Sequence, residues 1–152
     1  MDKDELIRSA KKIEEPSRNA VEEFKETKEK LAIELNKRMK KRENLEELIG
    51  SNNESMMEDN SQNMVKFLHS VFKNFEAKVF VDTILWVFKT YRSHGFRPEY
   101  WKTNLNTFVE IMKEELSEET FDELKPFLGW MIEHIPVFVK LTDRYQEEWY
   151  HR

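Results

Sequence analysis

An all-α fold is predicted by three features of the sequence. Apolar residues recur at helical spacing, and no stretch alternates apolar and polar residues as a half-buried strand does. Three glycines and four prolines in 152 residues leave few turns. Eleven phenylalanines and four tryptophans supply large rings for a core. That is enough for one domain over residues 1–152, and no internal repeat divides it.

Lys3 to Ile13 carries Leu6, Ile7, Ala10 and Ile13 on one face, which predicts a short amphipathic helix within an N-terminal extension over residues 1–15. Pro16 ends it and Ser17 can cap the next helix. Val21, Phe24, Lys28, Leu31, Leu35 and Met39 form the stripe of that helix, which is long and charged. Leu45, Leu48 and Ile49 close it, and Gly50 is the stop. Residues 51–62 are polar and hold three asparagines and an aspartate, so a loop is expected there. From Asn63 to Glu76 the pattern is helical again, with Met64, Leu68, Val71 and Phe75 on one face and Phe67 and Phe72 beside them. Val79, Phe80, Ile84, Leu85, Val87, Phe88 and Tyr91 cover most of the next helix, from Ala77 to Arg92, which predicts burial on several sides.

Gly95 and Pro98 form a corner. Pro98 suits a first helical turn, where no amide donor is needed. Trp101, Leu105, Phe108, Val109 and Met112 are the next stripe, ending at Leu116. Thr120 with Glu123 reads as a capping box. A last helix is expected from Phe121 to Trp149, kinked at Pro136. The sum is about six helices.

The net charge of -5 gives no reason to expect nucleic-acid binding. The absence of cysteine excludes disulfides and thiolate chemistry, and fits a cytoplasmic setting. No run is apolar enough to span a membrane. The basic cluster Lys37, Arg38, Lys40, Lys41 and Arg42 reads as a solvated face balanced by Glu43, Glu46 and Glu47. No histidine pair has metal spacing, and neither a nucleophile elbow nor a phosphate-cradling glycine loop is present, so no catalytic role is expected. His69 and His134 each read as an edge residue or as a polar group facing a cavity. Arg92 and His94 can cap the end of the buried helix or attract an anion. His151 carries no signal.

Residues Tyr91 to Trp101, with Leu105, Phe108, Val109, Met112 and Lys113-Glu114-Glu115-Leu116 after them, resemble the F–G corner and G helix of bacterial globins. There the proximal haem histidine is followed by a small residue, a Gly-aliphatic pair, often Pro-Glu, and an aromatic residue. Here the run is Gly95-Phe96-Arg97-Pro98-Glu99-Tyr100-Trp101. The spacing holds without a gap through Glu118-Glu119-Thr120 to the last helix, so the likeness covers the C-terminal half of the chain.

The resemblance places Tyr91 where the proximal histidine stands. It places Trp101 and Asp143 where a tyrosine and a glutamate orient that histidine. A ligating histidine depends on such partners, and losing all three together implies a haem-free globin. The chain is thus similar to the haem-less globin sensor domains of bacilli, which serve stressosome proteins and sporulation sensor histidine kinases. An end at Arg152 fits their stand-alone type. That resemblance implies a globin-like domain with an extra N-terminal helix and no haem. It implies a fatty acid bound in a tunnel, a polar chamber able to hold chloride, and a homodimer through the last two helices. It also implies inhibition of sporulation, by sequestering the signal or by pairing with a sensor histidine kinase; the sequence does not choose between these.

From helical facing and nearness to the corner, the expected tunnel lining is Phe72, Phe80, Ile84, Val87, Phe88, Tyr91, Leu105, Phe108, Met131, Ile135 and Phe138. The competing reading is that these residues only pack on one another. His69, Tyr91, Arg92 and His134 are the candidate donors to an anion or head group. Two other functions stay open: a haem-binding gas sensor using Tyr91 or His94, and a ligand-free interaction module working through Lys37, Lys40 and Lys41.

Overall fold

The computed structural model describes residues 1–150, and their side chains as far as Asp143. Among these there are eight α-helices and no strand, as the composition predicts. They are α1 (Lys3–Ala10), α2 (Arg18–Lys40), α3 (Leu45–Ile49), α4 (Glu54–Lys73), α5 (Ala77–Ser93), α6 (Pro98–Glu115), α7 (Glu118–Glu133) and α8 (Ile135–Tyr150). His151 lies outside the described residues, as does the Tyr145 side chain. The arrangement is consistent with a globin-like domain. Helix α2 packs on α4, α6 and α7, α6 packs on α7 and α8, and α5 packs on α8 and α1.

Four expectations about the elements are corrected. The loop over residues 51–62 is only a tight turn, because α4 starts at Glu54. Its polar first turns stay helical because Met57, Asn60, Ser61 and Met64 share a buried face. The polar groups on that face are paired: Asn60 Nδ2 donates to the Tyr100 hydroxyl at 3.3 Å, and Ser61 Oγ to the Met57 carbonyl at 3.4 Å. The long charged helix stops at Lys40, and Leu45–Ile49 is a separate turn of helix. The last helix is two helices. Pro136 has no amide hydrogen and crowds the carbonyl one turn back, so His134 caps α7 and α8 starts afresh. Finally, Val79 and Trp86 are more than half exposed, so α5 is not covered on every side.

Pro126 is interior to α7, which tolerates it without breaking. Two members of the basic cluster, Arg38 and Lys40, pair with glutamates other than Glu43, Glu46 and Glu47. Arg38 meets Glu34 and Glu114, and Lys40 meets Glu58. Such exposed pairs contribute little stability.

The starts of α2 and α7 cap each other. Ser17 caps α2, accepting from the Ala20 amide at 3.2 Å, while its own amide and hydroxyl donate to Glu123 of α7 at 2.8 and 2.9 Å. Ser117 caps α7, accepting from the Thr120 amide at 3.3 Å, and its amide and hydroxyl donate to Glu23 of α2 at 2.6 and 2.7 Å. Thr120, expected as the cap, instead donates its hydroxyl to Glu23 at 2.9 Å. Each carboxylate thus satisfies an orphan amide at the other helix's start.

Burial opposes the charge on Glu23, but the Ser117 amide and hydroxyl and the Thr120 hydroxyl outweigh it and hold its pKa below the ordinary value. A depressed folded-state pKa gives stability that is present above the unfolded pKa and lost as the pH falls through the folded one. Glu23→Gln is therefore expected to cost about 1 kcal/mol at pH 7. The difference from the parent should shrink below about pH 4.3, where an unfolded glutamate gains its proton. Urea denaturation across that range checks both statements, and a pH-independent difference would contradict the second.

Candidate ligand cavity

The Gly-Pro corner is fastened at two points. Asn53 Nδ2 donates to the Ile49 carbonyl and to the His94 carbonyl, each at 2.7 Å. The Arg97 amide donates to the Leu48 carbonyl at 2.8 Å. Gly50 and Gly95 both have positive φ, +88° and +102°, which a side chain would strain. At Gly50 a Cβ would also come within 3.1 Å of Asn53 Nδ2. The turn before α4 and the corner before α6 are thereby one unit.

Beside that unit the middle of α5 stands off α4 and α6. Between them lies a cavity of about 220 Å³. Its walls are Asn60, Asn63, Met64 and Phe67 of α4, Thr83, Ile84, Trp86, Val87, Phe88 and Tyr91 of α5, Trp101 and Leu105 of α6, and Met131 of α7. Asn63 and Trp86 are exposed and form the mouth. Asn60, Tyr91 and Trp101 are buried.

Six of the predicted lining residues are in these walls: Ile84, Val87, Phe88, Tyr91, Leu105 and Met131. The other five are core. Phe72 packs edge-on to Phe24 and Phe127, Phe80 packs against Phe67, Phe75 and Trp130, and Phe138 packs against Phe88 and Trp130. Phe108 and Ile135 are buried away from the cavity. Helical spacing finds a buried face but does not say which neighbour covers it. Asn60 was missed because its segment reads as a loop, and Asn63 because it is a polar residue at the start of the expected helix, off its apolar stripe. Trp86 and Thr83 lie outside the apolar set that the sequence marked on α5.

Of the four predicted anion donors only Tyr91 lines the cavity. Burial and the Lys28, Lys25 and Lys73 charges push the His69 pKa down, and the residue does not line the cavity. His134 holds its Nδ1 2.7 Å from the Trp130 carbonyl and stacks on the Trp130 ring. Arg92 donates to the Val139 carbonyl at 3.2 Å and to Thr142 Oγ1 at 3.0 Å, and pairs with Asp143 at 2.6 Å. It fastens α5 to α8. His94 is exposed, with Nδ1 2.9 Å from the Thr90 carbonyl, and does not line the cavity.

The Tyr91 ring meets Phe96 and Trp101 edge-on, with centroids 5.0 and 5.7 Å away. Burial and the nearby Asp59 charge raise its pKa, so the phenol stays protonated. Beside it, the buried Tyr100 hydroxyl accepts from Asn60 and from Asn104, the latter at 3.1 Å. No group of three or more candidate metal ligands occurs among the described residues.

The chain matches no family model and no solved structure. A stretch of 82 residues is 28% identical to the probable cytochrome P450 508D1 of Dictyostelium discoideum. That stretch covers 53% of this chain and 17% of the relative's length. A likeness of that extent assigns no family.

Because Arg92 is a strap and not a ligand, Arg92→Met is expected to lower the unfolding free energy by about 2 kcal/mol in urea and to leave the affinity of an apolar probe such as benzene unchanged. Loss of probe binding without loss of stability would contradict this assignment.

Proposed function

We propose that this chain is a haem-free, non-catalytic sensor domain whose cavity takes the apolar chain of a fatty acid or a related molecule. The observation that carries it is the cavity between α4, α5 and α6, walled by aliphatic, methionine and aromatic side chains. Pockets of that composition with few polar groups are the usual small-molecule sites. A dry apolar cavity of about 150 Å³ holds benzene, so this one suits a ligand of roughly ten non-hydrogen atoms. Each methylene buried in it contributes about 0.8 kcal/mol.

Haem is a poor fit for the same space. The volume is below the ~300–1,000 Å³ of pockets that enclose drug-sized ligands, and Trp101 and Phe88 stack at 4.8 Å beside Tyr91, in its wall. A chloride chamber loses three of its four candidate donors, since Arg92 and His134 are engaged elsewhere and His69 does not line the cavity. The likeness of the Tyr91 corner to haem-less globin sensors supports the wider role. In that role the domain inhibits sporulation by taking up the signal of a sensor histidine kinase, or by pairing with the kinase through α7 and α8, the pair that would also form a homodimer.

Organic extraction of protein purified from its host is expected to release a lipid-like ligand visible by mass spectrometry. Leu105→Phe should fill the cavity and weaken binding about tenfold, the equivalent of two methylenes. Haemin titration should give no stoichiometric Soret band. Absence of any bound or titratable apolar ligand, or a Soret band that shifts in Tyr91→Phe, overturns the reading.

A further inference from the structure

The cavity's polar groups are neutral, and two of them are left without partners. Trp101 is 4% exposed and its indole Nε1–H is buried without an acceptor. That nitrogen has no surface open to the cavity, so the polar atoms a ligand can reach are those of Tyr91 and Asn60. The Tyr91 hydroxyl has no hydrogen bond among the described residues, although the ring is 8% exposed. Asn60, 4% exposed, spends Nδ2 on the Tyr100 hydroxyl and keeps Oδ1 as an acceptor. These three side chains are close together: the Tyr91 and Trp101 rings are 5.7 Å apart, and Tyr100, which Asn60 reaches, lies 5.0 Å from Trp101.

Among the described residues, no lysine, arginine or histidine lines the space. The charge that does act on Tyr91 is negative, from Asp59. A carboxylate placed there would meet no counter-charge, and burying it unpaired is unfavourable. It would also set an oxygen without hydrogens against Asn60 Oδ1. A hydroxyl has the opposite fit: its oxygen accepts from Tyr91 O–H, and its hydrogen donates to Asn60 Oδ1.

We propose that the cavity selects an uncharged oxygen head group, a primary alcohol on an apolar chain of about eight carbons, over the carboxylate of the same length. This rests on the reading that the cavity binds an apolar ligand, and it narrows the class of ligand. The experiment is calorimetric titration of the full chain with 1-octanol, octanoate and benzene at pH 7.5. Binding of 1-octanol about tenfold or more tighter than octanoate, with Tyr91→Phe removing most of that preference while still binding benzene, is the expected result. Benzene binding in the variant shows that it is folded with its cavity intact. Octanoate binding as tightly as 1-octanol overturns the head-group inference and leaves the cavity reading standing. A preference for 1-octanol that persists undiminished in Tyr91→Phe also overturns it. Failure of all three probes overturns the ligand-binding reading itself.

Discussion

The side-chain amide of Asn53 joins two turns that are far apart in sequence. By donating to the carbonyls of both Ile49 and His94, it sets the end of α5 against the start of α4. The Arg97 amide repeats the link through Leu48. At its other flank α5 is tied to α8 by Arg92 and covered by α1, where Leu6 and Ala10 are fully buried. Helix α5 is therefore fixed along its edges and its C-terminal end. Its middle does not close onto α4 and α6, and the space left over is the cavity. Backbone carbonyls and a strap arginine, rather than apolar attraction, set the width of that space.

An unfilled volume works against folding. Cavities created in cores cost about 24 cal/mol per Å³, which for 220 Å³ is on the order of 5 kcal/mol. A mouth open to solvent reduces that figure, since water enters at Asn63 and Trp86. The remainder is still large beside the ~5–15 kcal/mol margin of an ordinary domain. One leucine changed to phenylalanine would recover part of it. Keeping the space open is thus the costlier solution for folding, and a ligand that fills it offsets the loss.

Much of the fold was legible because its signals are local. Ser17 precedes a run of good helix formers, Pro98 opens α6, and the charged and apolar stripes of α2 and α6 repeat at helical spacing. Where the pattern misled, a distant partner decided the outcome. The polar start of α4 is helical because the Tyr100 hydroxyl, forty residues on, receives Asn60. The N-cap of α7 is Ser117 and not Thr120 because Glu23 of α2 draws both hydroxyls. The site was half legible for the same reason. Periodicity marked Ile84, Val87, Phe88, Tyr91 and Leu105 as inward, but it could not tell that α4 and α6 stand back from them while α1 and α8 do not. The arginine and histidines near the corner look like anion donors in one dimension. In three, each already has a carbonyl or a helix beside it.

Two aromatic clusters explain how the walls resist collapse. Phe24, Phe72, Phe75, Phe80, Phe127 and Trp130 interlock in the core, and through the Trp130–Phe138 contact they join Phe88, Trp101, Tyr91, Phe96 and Tyr100 at the cavity. Rings in edge-to-face contact have few rotamers and cannot slide into a void without breaking several such contacts. Beside the rings the lining changes character. Met64 and Met131 face the space with unbranched, polarisable chains that adapt to the shape they meet. Rigid walls with adaptable residues between them keep a volume open without dictating the outline of its occupant. Specificity is then left to the few polar atoms at the buried end, and these are the ones the protein does not satisfy by itself.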